Sequence, residues 1–191
     1  MENLKNLKKI IYKGIKMSYY ALRTNDNNTV VDALNATIGT KISFANISWY
    51  LDEIKLNDIC FLKISGDEAK KLTSYDNSLV AIAKVIKTPY DIHIPIDMST
   101  NHGTIDIEII NVFDSITADE LYKYPSLKNT LSIGASTKGM PNQAIGRLTN
   151  EQGEDIIKAL KNENRLSATS YNYYNIRNNS LEILVSKIIS V

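Results

Sequence analysis

Three separate runs of aromatic and aliphatic residues constrain the fold of this chain more than any other feature. They are Tyr19 to Thr24, Asp58 to Ile64 and Leu79 to Ile86. Each has the length of a β-strand, and the third is almost continuously aliphatic, which is typical of a strand buried on both faces. Such strands bury their side chains by joining one sheet and packing against other elements, so the pattern predicts a domain built on a β-sheet.

Helical signals interrupt these strands at irregular intervals. Asp26 to Thr29 offers N-cap residues, and Gly39 is suited to the end of the helix that follows. The apolar face predicted for this helix consists of Val30, Val31, Leu34 and Ile38. Thr117 to Glu120 and Thr149 to Gln152 are capping boxes, the second ahead of a helix with Ile156, Ile157 and Leu160 on one face. The order of elements predicts an α+β fold and not a regular βαβ alternation.

Other segments give weaker signals. Ile42 to Trp49 has mixed periodicity and receives no assignment. Asp91 to Thr104 reads as a long loop or irregular hairpin, and Ile105 to Ile109 alternates as a half-exposed strand does. Leu181 to Val185 fits a strand or a helix equally well.

The N-terminal segment carries an amphipathic pattern. Leu4, Leu7, Ile11 and Ile15 recur at helical spacing, and five lysines occupy other positions. We expect a helix over residues 1–17 that packs on the domain; a phosphate-contacting or partner-binding helix is the alternative. The net charge of the chain is only +1. Any nucleic-acid binding must therefore be local or supported by another domain or subunit.

The sequence lacks the signatures of common catalytic sites. It contains no Gly-x-x-x-x-Gly-Lys-Ser/Thr phosphate loop, no Gly-x-Gly-x-x-Gly fingerprint and no Gly-x-Ser-x-Gly elbow. Cys60, the single cysteine, is expected to be a buried apolar residue, and the absence of a disulfide pair fits a reducing, cytoplasmic setting. His93 and His102 are interpreted as solvated loop residues and not as metal ligands. We expect no enzyme activity, cofactor or metal.

The strand motifs, in their order and spacing, resemble the EVE branch of the PUA-like superfamily. Tyr19 to Asp26 is similar to the opening strand Tyr-Trp-x-x-Lys-Ser-Glu-Pro, Leu56 to Asp58 to Val-Gly-Asp, and Val80 to Tyr90 to Val-Gly-Ile-Ala-x-Val-x-x-x-x-Tyr. Ile116 to Leu121, Pro125 to Leu127 and Arg147 to Gln152 match later segments, so the resemblance covers Tyr19 to Leu160. The family glycines are replaced here by Asn57 and Ala81.

The resemblance implies a curved, barrel-like mixed β-sheet with flanking helices over residues 18–164. Residues 165–191 would form a C-terminal extension or the approach to a linker. The resemblance also implies a pocket for a flipped, modified base, with an aromatic or apolar wall on which the base stacks and polar groups that bind the base edge. The residues that it places there are Arg23, Thr24, Asn25, Trp49, Tyr50, Ser65, Asp67, Tyr75, Asn142 and Gln143.

The function implied is therefore that of a non-enzymatic reader of a modified, flipped base in double-stranded DNA. The same resemblance suggests a targeting module of a modification-dependent, McrBC-type restriction system, with a fused AAA+ GTPase motor and a nuclease subunit as partners and no membrane. The alternative is a PUA-like protein that reads modified or structured RNA.

Overall fold

The computed structural model describes residues 17–24, 27–66, 77–134 and 144–166. Within these ranges the strands are β1 (Tyr19–Thr24), β2 (Lys41–Ile47), β3 (Ile59–Ile64), β4 (Ser78–His93), β5 (His102–Thr117) and β6 (Ile145–Leu148). The helices are α1 (Asn27–Asn35), α2 (Ala118–Leu121), a 3-10 turn (Pro125–Leu127) and α3 (Asn150–Asn162). Among the helices described, none has the length and apolar composition needed to cross a membrane.

The six strands form one curved, unclosed sheet in the order β2-β5-β4-β3-β1-β6. Only β1 and β3 run parallel; the other neighbouring pairs are antiparallel. This mixed sheet with few helices confirms the predicted α+β class. The strand β6 and the strand β2 were not predicted, because one is four residues long and the other is interrupted by a bulge between Phe44 and Ile47.

Both faces of the sheet carry a hydrophobic cluster, because successive strand residues point to opposite sides. One cluster contains Tyr20, Leu22 and Leu62 together with α1 residues. The other contains Tyr19 and Phe61 together with α3 residues. Strands β1 and β3 are thus buried on both faces. Cys60 lies fully buried in the first cluster, as predicted, and burial raises the pKa of its thiol.

The first helix differs from the prediction. It ends at Asn35, and its buried positions are Val30 and Ala33, whereas Val31 and Leu34 are exposed. The predicted apolar face was therefore wrong at Val31, Leu34 and Ile38, which are exposed. Alanine has the smaller side chain, so the observed face lets the helix backbone approach the sheet closely. Gly39 adopts φ +89°, but it lies four residues beyond the helix and not directly at its end as predicted.

Asp91 to Thr104, predicted as a long loop or an irregular hairpin, forms the end of a hairpin. Strand β4 continues to His93 and β5 begins at His102, and these two residues are paired in register. His93 is exposed, but His102 is buried and its Nδ1 has no hydrogen-bond partner among the described residues. The interpretation of His102 as a solvated loop residue was wrong. Its burial follows from strand β2, which pairs with this part of β5 on the other side.

Two predicted capping boxes open helices α2 and α3. The Thr117 hydroxyl accepts from the Glu120 amide, and the Thr149 hydroxyl accepts from the Gln152 amide at 3.2 Å. Helix α3 buries Ile156, Ile157 and Leu160, as predicted. It packs so closely on β1 that a Cβ added to Gly153 would lie 2.1 Å from the Tyr19 ring.

Side-chain contacts link the regions of the two edge strands of the sheet, β2 and β6. Glu53, in the turn after β2, forms an ion pair with Arg147 of β6. Nearby, the Tyr20 and Tyr50 rings contact each other with centroids 5.9 Å apart. The Tyr20 ring is fully buried, and desolvation together with the Asp58 carboxylate raises its pKa to about 12. These contacts cover the interior of the sheet where hydrogen bonds between β2 and β6 are missing.

Candidate functional site

Buried polar side chains concentrate at one edge of the sheet. Among the described residues, seven polar or charged side chains are buried, and four of them lie where β1 and β3 end and β4 begins. These four are Thr24, Lys63, Ser65 and Ser78. A buried polar group is more informative than an exposed apolar one, because its burial costs free energy unless it is hydrogen-bonded.

The hydrogen bonds of this edge join β1 to β3. Arg23 Nε donates to Ser65 Oγ at 2.8 Å, and Thr24 Oγ1 donates to the Lys63 carbonyl at 3.1 Å. The Arg23 amide donates to the Ala144 carbonyl at 2.8 Å, just before β6. The guanidinium also passes over the backbone of Gly66, where a Cβ would lie 3.4 Å from it. Arg23 is thereby held at the edge by both its backbone and its side chain.

Two cationic side chains share this edge. Arg23 and Lys63 are partners in the parallel β1–β3 register, so they occupy neighbouring positions on one face of the sheet. Lys63 is only 3% exposed, and its ammonium donates to the Gly134 carbonyl. Thr24 and Ser78 belong to the next register positions and therefore lie on the opposite face, and the Thr24 hydroxyl donates to the Lys63 carbonyl. Among the described residues of this edge, the half-buried Arg23 is the donor that can meet an acceptor such as a base oxygen, a ring nitrogen or a phosphate oxygen.

The parallel pairing explains why these residues meet. Parallel strands end at the same edge of a sheet, so the polar residues that follow β1 and β3 in sequence become neighbours. Asn25, Asp67, Tyr75, Asn142 and Gln143 lie outside the described residues. The described residues that flank them, Thr24, Gly66, Asn77 and Ala144, are all found at this edge.

The structure places two of the predicted aromatic residues, Trp49 and Tyr50, away from this edge. Tyr50 packs on Tyr20, near the start of β1, and Trp49 contacts Tyr50 with ring centroids 6.5 Å apart. Tyr20 and Thr24 are four residues apart in an extended strand, which is about 13 Å. Trp49 and Tyr50 therefore lie at one end of β1, and Arg23, Thr24 and Ser65 lie at the other.

Lys63 and Ser78 were missed in the sequence analysis. Lys63 interrupts the apolar run of β3, and a lysine inside a strand buried on both faces is a signal that could have identified it. Ser78 gives no such signal, because it precedes the aliphatic run of β4 and resembles an ordinary turn residue. It reaches the edge through its pairing with Ile64 and Thr117.

Other features of the described residues do not indicate a catalytic site. No group of three or more His, Cys, Asp or Glu side chains within them is arranged to hold a metal ion. A cleft of about 750 Å³ lies elsewhere, bordered by α1, β4, β5 and the end of α3, and its lining includes Leu34, Phe113 and Arg165. None of the predicted site residues lines it.

Comparisons with known proteins identify the fold. No protein-family model and no curated protein sequence matches the chain. Human THYN1, solved in complex with 5-methylcytosine containing DNA, is similar with a TM-score of 0.53 at 14% identity over 74% of this chain and 96% of that chain. Rpa0253 from Rhodopseudomonas palustris is similar with a TM-score of 0.50 at 14% identity, over 75% and 92% of the two chains. The DUF55 domain of human thymocyte nuclear protein 1 gives 0.50 at 14% identity, over 74% and 97%.

The chain therefore shares the fold of these proteins, a curved mixed sheet with few helices, which agrees with the fold predicted from the sequence motifs. At 14% identity the likeness concerns the fold, and the side chains of the polar edge must be argued from this chain itself.

Proposed function

We propose that this protein binds nucleic acid that carries a modified base, and that the base lies at the polar edge formed by Arg23, Thr24, Lys63, Ser65 and Ser78, where the half-buried Arg23 guanidinium contacts it. The observation that carries the proposal is the cluster of buried donors at the carboxyl ends of β1 and β3. The edge belongs to a fold shared with a protein solved on 5-methylcytosine DNA. A base removed from its stack exposes acceptors on its Watson–Crick edge, and donors fixed in a protein can recognise them.

We favour duplex DNA over RNA as the ligand and a reader over an enzyme as the class. Support for DNA comes from the ligand of the similar human protein. Support for a reader comes from the side chains of the edge, which are donors and include no described nucleophile–base pair. Modified or structured RNA is the alternative ligand.

The role as a targeting module of a McrBC-type restriction system is a further part of the proposal. It rests on the sequence resemblance and on the net charge of +1, which favours weak modules multiplied by assembly. Its test is restriction of modified plasmid or phage DNA in cells, with Arg23→Gln in the intact system expected to abolish restriction of modified DNA only.

The binding test uses fluorescence anisotropy at fixed, moderate salt. Matched duplexes carry one unmodified, 5-methylated, 5-hydroxymethylated or N6-methylated base, and single-stranded RNA with and without a methylated base serves as the alternative ligand. We expect one modified duplex to bind at least tenfold more tightly than its unmodified control, since a good bidentate base contact contributes about 1–3 kcal/mol. Tighter binding to RNA would replace DNA as the ligand, and equal binding to all would refute the reader proposal.

Three variants locate the site. Arg23→Gln removes one charge at the polar edge, and Arg147→Gln removes one charge from the adjacent strand at the opposite end. We expect the first to lose discrimination between modified and unmodified duplex and the second to keep it. Trp49→Ala should also keep it; loss of discrimination in Trp49→Ala alone would place the base at the other end of the sheet.

A further inference from the structure

A second surface lies at the end of the sheet opposite the polar edge. Strand β3 stops pairing where the Asn57 amide donates to the Val85 carbonyl at 2.8 Å, but β4 and β5 continue beyond it. The ribbon from Lys87 to His93 extends about 23 Å past this point at the usual rise of a strand. Large apolar side chains are exposed along it and beside it. We call them the distal surface: Trp49, Leu56, Ile92, Ile94, Ile96 and Met98.

The distal surface holds most of the exposed apolar side chains in the described part of the chain. Six of the eleven large apolar residues that are exposed there belong to it. Ile96 is completely exposed, and Ile94 is 59% exposed. Single exposed apolar residues are common on proteins, but several of them concentrated on one ribbon and the turns beside it are typical of an interaction site.

The turn that carries Trp49 is packed on the ribbon. A Cβ added to Gly103 would lie 3.1 Å from Leu51 and 3.3 Å from Ile92, so these two side chains meet over a glycine on β5. Tyr50 adopts φ +62° in this turn, and its ring packs against Tyr20 with the ring planes inclined by 50°. Trp49 is therefore fixed next to the ribbon and still 45% exposed.

The chain enters the sheet at this same end. The Ser18 amide donates to Asp58 Oδ1 at 2.9 Å, and the Ile59 amide donates to the Ser18 carbonyl at 3.0 Å. Residues 1–16, which lie outside the described residues, are thus attached directly beside Leu56. Their sequence has apolar residues at helical spacing in Leu4, Leu7, Ile11 and Ile15. A helix of 16 residues would be about 24 Å long, close to the length of the ribbon.

The charges of the two partners are complementary. Residues 1–16 contain five lysines, whereas exposed carboxylates surround the distal surface at Asp52, Asp91 and Asp97. Lys87, the lysine on the ribbon, is held over the Tyr90 ring, 3.4 Å from its centroid. Exposed charges of opposite sign within about 10 Å attract each other at moderate salt.

We propose that residues 1–16 form an amphipathic helix that docks on the distal surface, with its apolar face against Ile92 and Ile94 and its lysines toward the surrounding carboxylates. Attachment at Met17 gives the segment an effective concentration on the order of millimolar, so it outcompetes a second copy of the chain at ordinary concentrations. The polar edge is at the other end of the sheet and stays open. This proposal does not depend on the proposed function.

Trp49 is the only tryptophan of the chain and reports directly on the distal surface. The experiment compares the full chain with Leu7→Ser/Ile11→Ser and with the control Glu2→Ser/Asn6→Ser, which introduces the same residues on the opposite helical face and leaves the lysines in place. We expect the first variant to shift Trp49 emission to longer wavelength, to increase its quenching by acrylamide and to accelerate amide exchange over residues 86–98. The control should change none of these substantially.

Two outcomes would overturn the proposal. Unchanged emission and exchange in Leu7→Ser/Ile11→Ser would show that the N-terminal segment does not cover the distal surface. Emission that depends on protein concentration, with a dimer in sedimentation that Ile94→Ser dissociates, would show that a second copy covers it instead. Amide exchange at Arg23 and Ser65 serves as an internal check that the variants remain folded.

Discussion

At the residue scale, Asn57 occupies a backbone conformation that glycine adopts readily. It stands where the motif Val-Gly-Asp has glycine, and it adopts φ +68°. Asparagine tolerates this left-handed conformation better than most residues with a Cβ, so asparagine is compatible with the turn before β3.

This position gives a stability prediction. Asn57→Ala and Asn57→Gly both remove the side chain, so the difference between them reports the backbone conformation. We expect the alanine variant to be less stable than the glycine variant by about 1–2 kcal/mol in urea unfolding. Equal stabilities would mean that the turn relaxes to negative φ.

Tyr20 gives a prediction in alkaline solution. Its hydroxyl is buried without a hydrogen-bond partner among the described residues, and desolvation followed by Asp58 raises its pKa from 10.0 to about 12. Between pH 10 and 12 the Tyr20 hydroxyl stays protonated in the folded state, whereas it loses its proton in the unfolded state. The free energy of unfolding therefore has its full value below pH 10 and falls as the pH rises toward 12.

The test is Tyr20→Phe, which removes the titrating group and nearly preserves the ring. We expect its stability at pH 8 to lie within about 1 kcal/mol of the parent, because an unpaired buried hydroxyl contributes little. Between pH 10 and 12 the parent should lose up to about 2 kcal/mol more than the variant. Parallel pH profiles in urea unfolding would contradict the assigned cause.

At the element scale, the packing of α3 on β1 requires a glycine at position 153, although glycine has a low helix propensity. Alanine is favoured over glycine inside a helix by about 1 kcal/mol. The space at Gly153 is nevertheless filled by the Tyr19 ring, 2.1 Å from the position of an added Cβ. Close packing of this helix on the strand thus depends on a residue that weakens the isolated helix.

We therefore expect Gly153→Ala to destabilise the protein. Overpacking costs about 1–3 kcal/mol. The higher helix propensity of alanine offsets only about 1 kcal/mol of this cost, so we expect a net loss of stability. The melting temperature measured by circular dichroism should fall. Tyr19→Leu in the same background should restore part of the loss, and a stabilised single variant would show that α3 does not pack on Tyr19.

At the scale of the whole molecule, the balance of charge limits the electrostatic part of the proposed binding. The chain has 22 basic and 21 acidic residues, and the polar edge contributes Arg23 and Lys63. Because Lys63 is buried and its ammonium donates to the Gly134 carbonyl, Arg23 is the cation of this edge that can contact a phosphate, and the logarithm of affinity should fall with the logarithm of salt concentration with a slope of about −1. Anisotropy titrations from 50 to 300 mM salt measure it, and a slope steeper than about −4 would require a larger basic surface.

The sequence by itself determined the local structure. The runs that form β1, β3 and β4, the burial of Cys60 and both capping boxes follow from residues close together in the chain, because apolar patterning and cap hydrogen bonds act over a few positions. The ordered motifs also predicted a curved mixed sheet with flanking helices, the fold that this chain shares with human THYN1.

Only the tertiary structure decided which predicted residues meet. The parallel pairing of β1 with β3 joins Arg23 to Ser65 across 42 positions, and the turn after β2 carries Trp49 to the opposite end. The buried face of α1, the burial of His102 and the place of Lys63 at the polar edge were likewise set by neighbouring strands. Such contacts depend on the packing of distant segments, which no local pattern encodes.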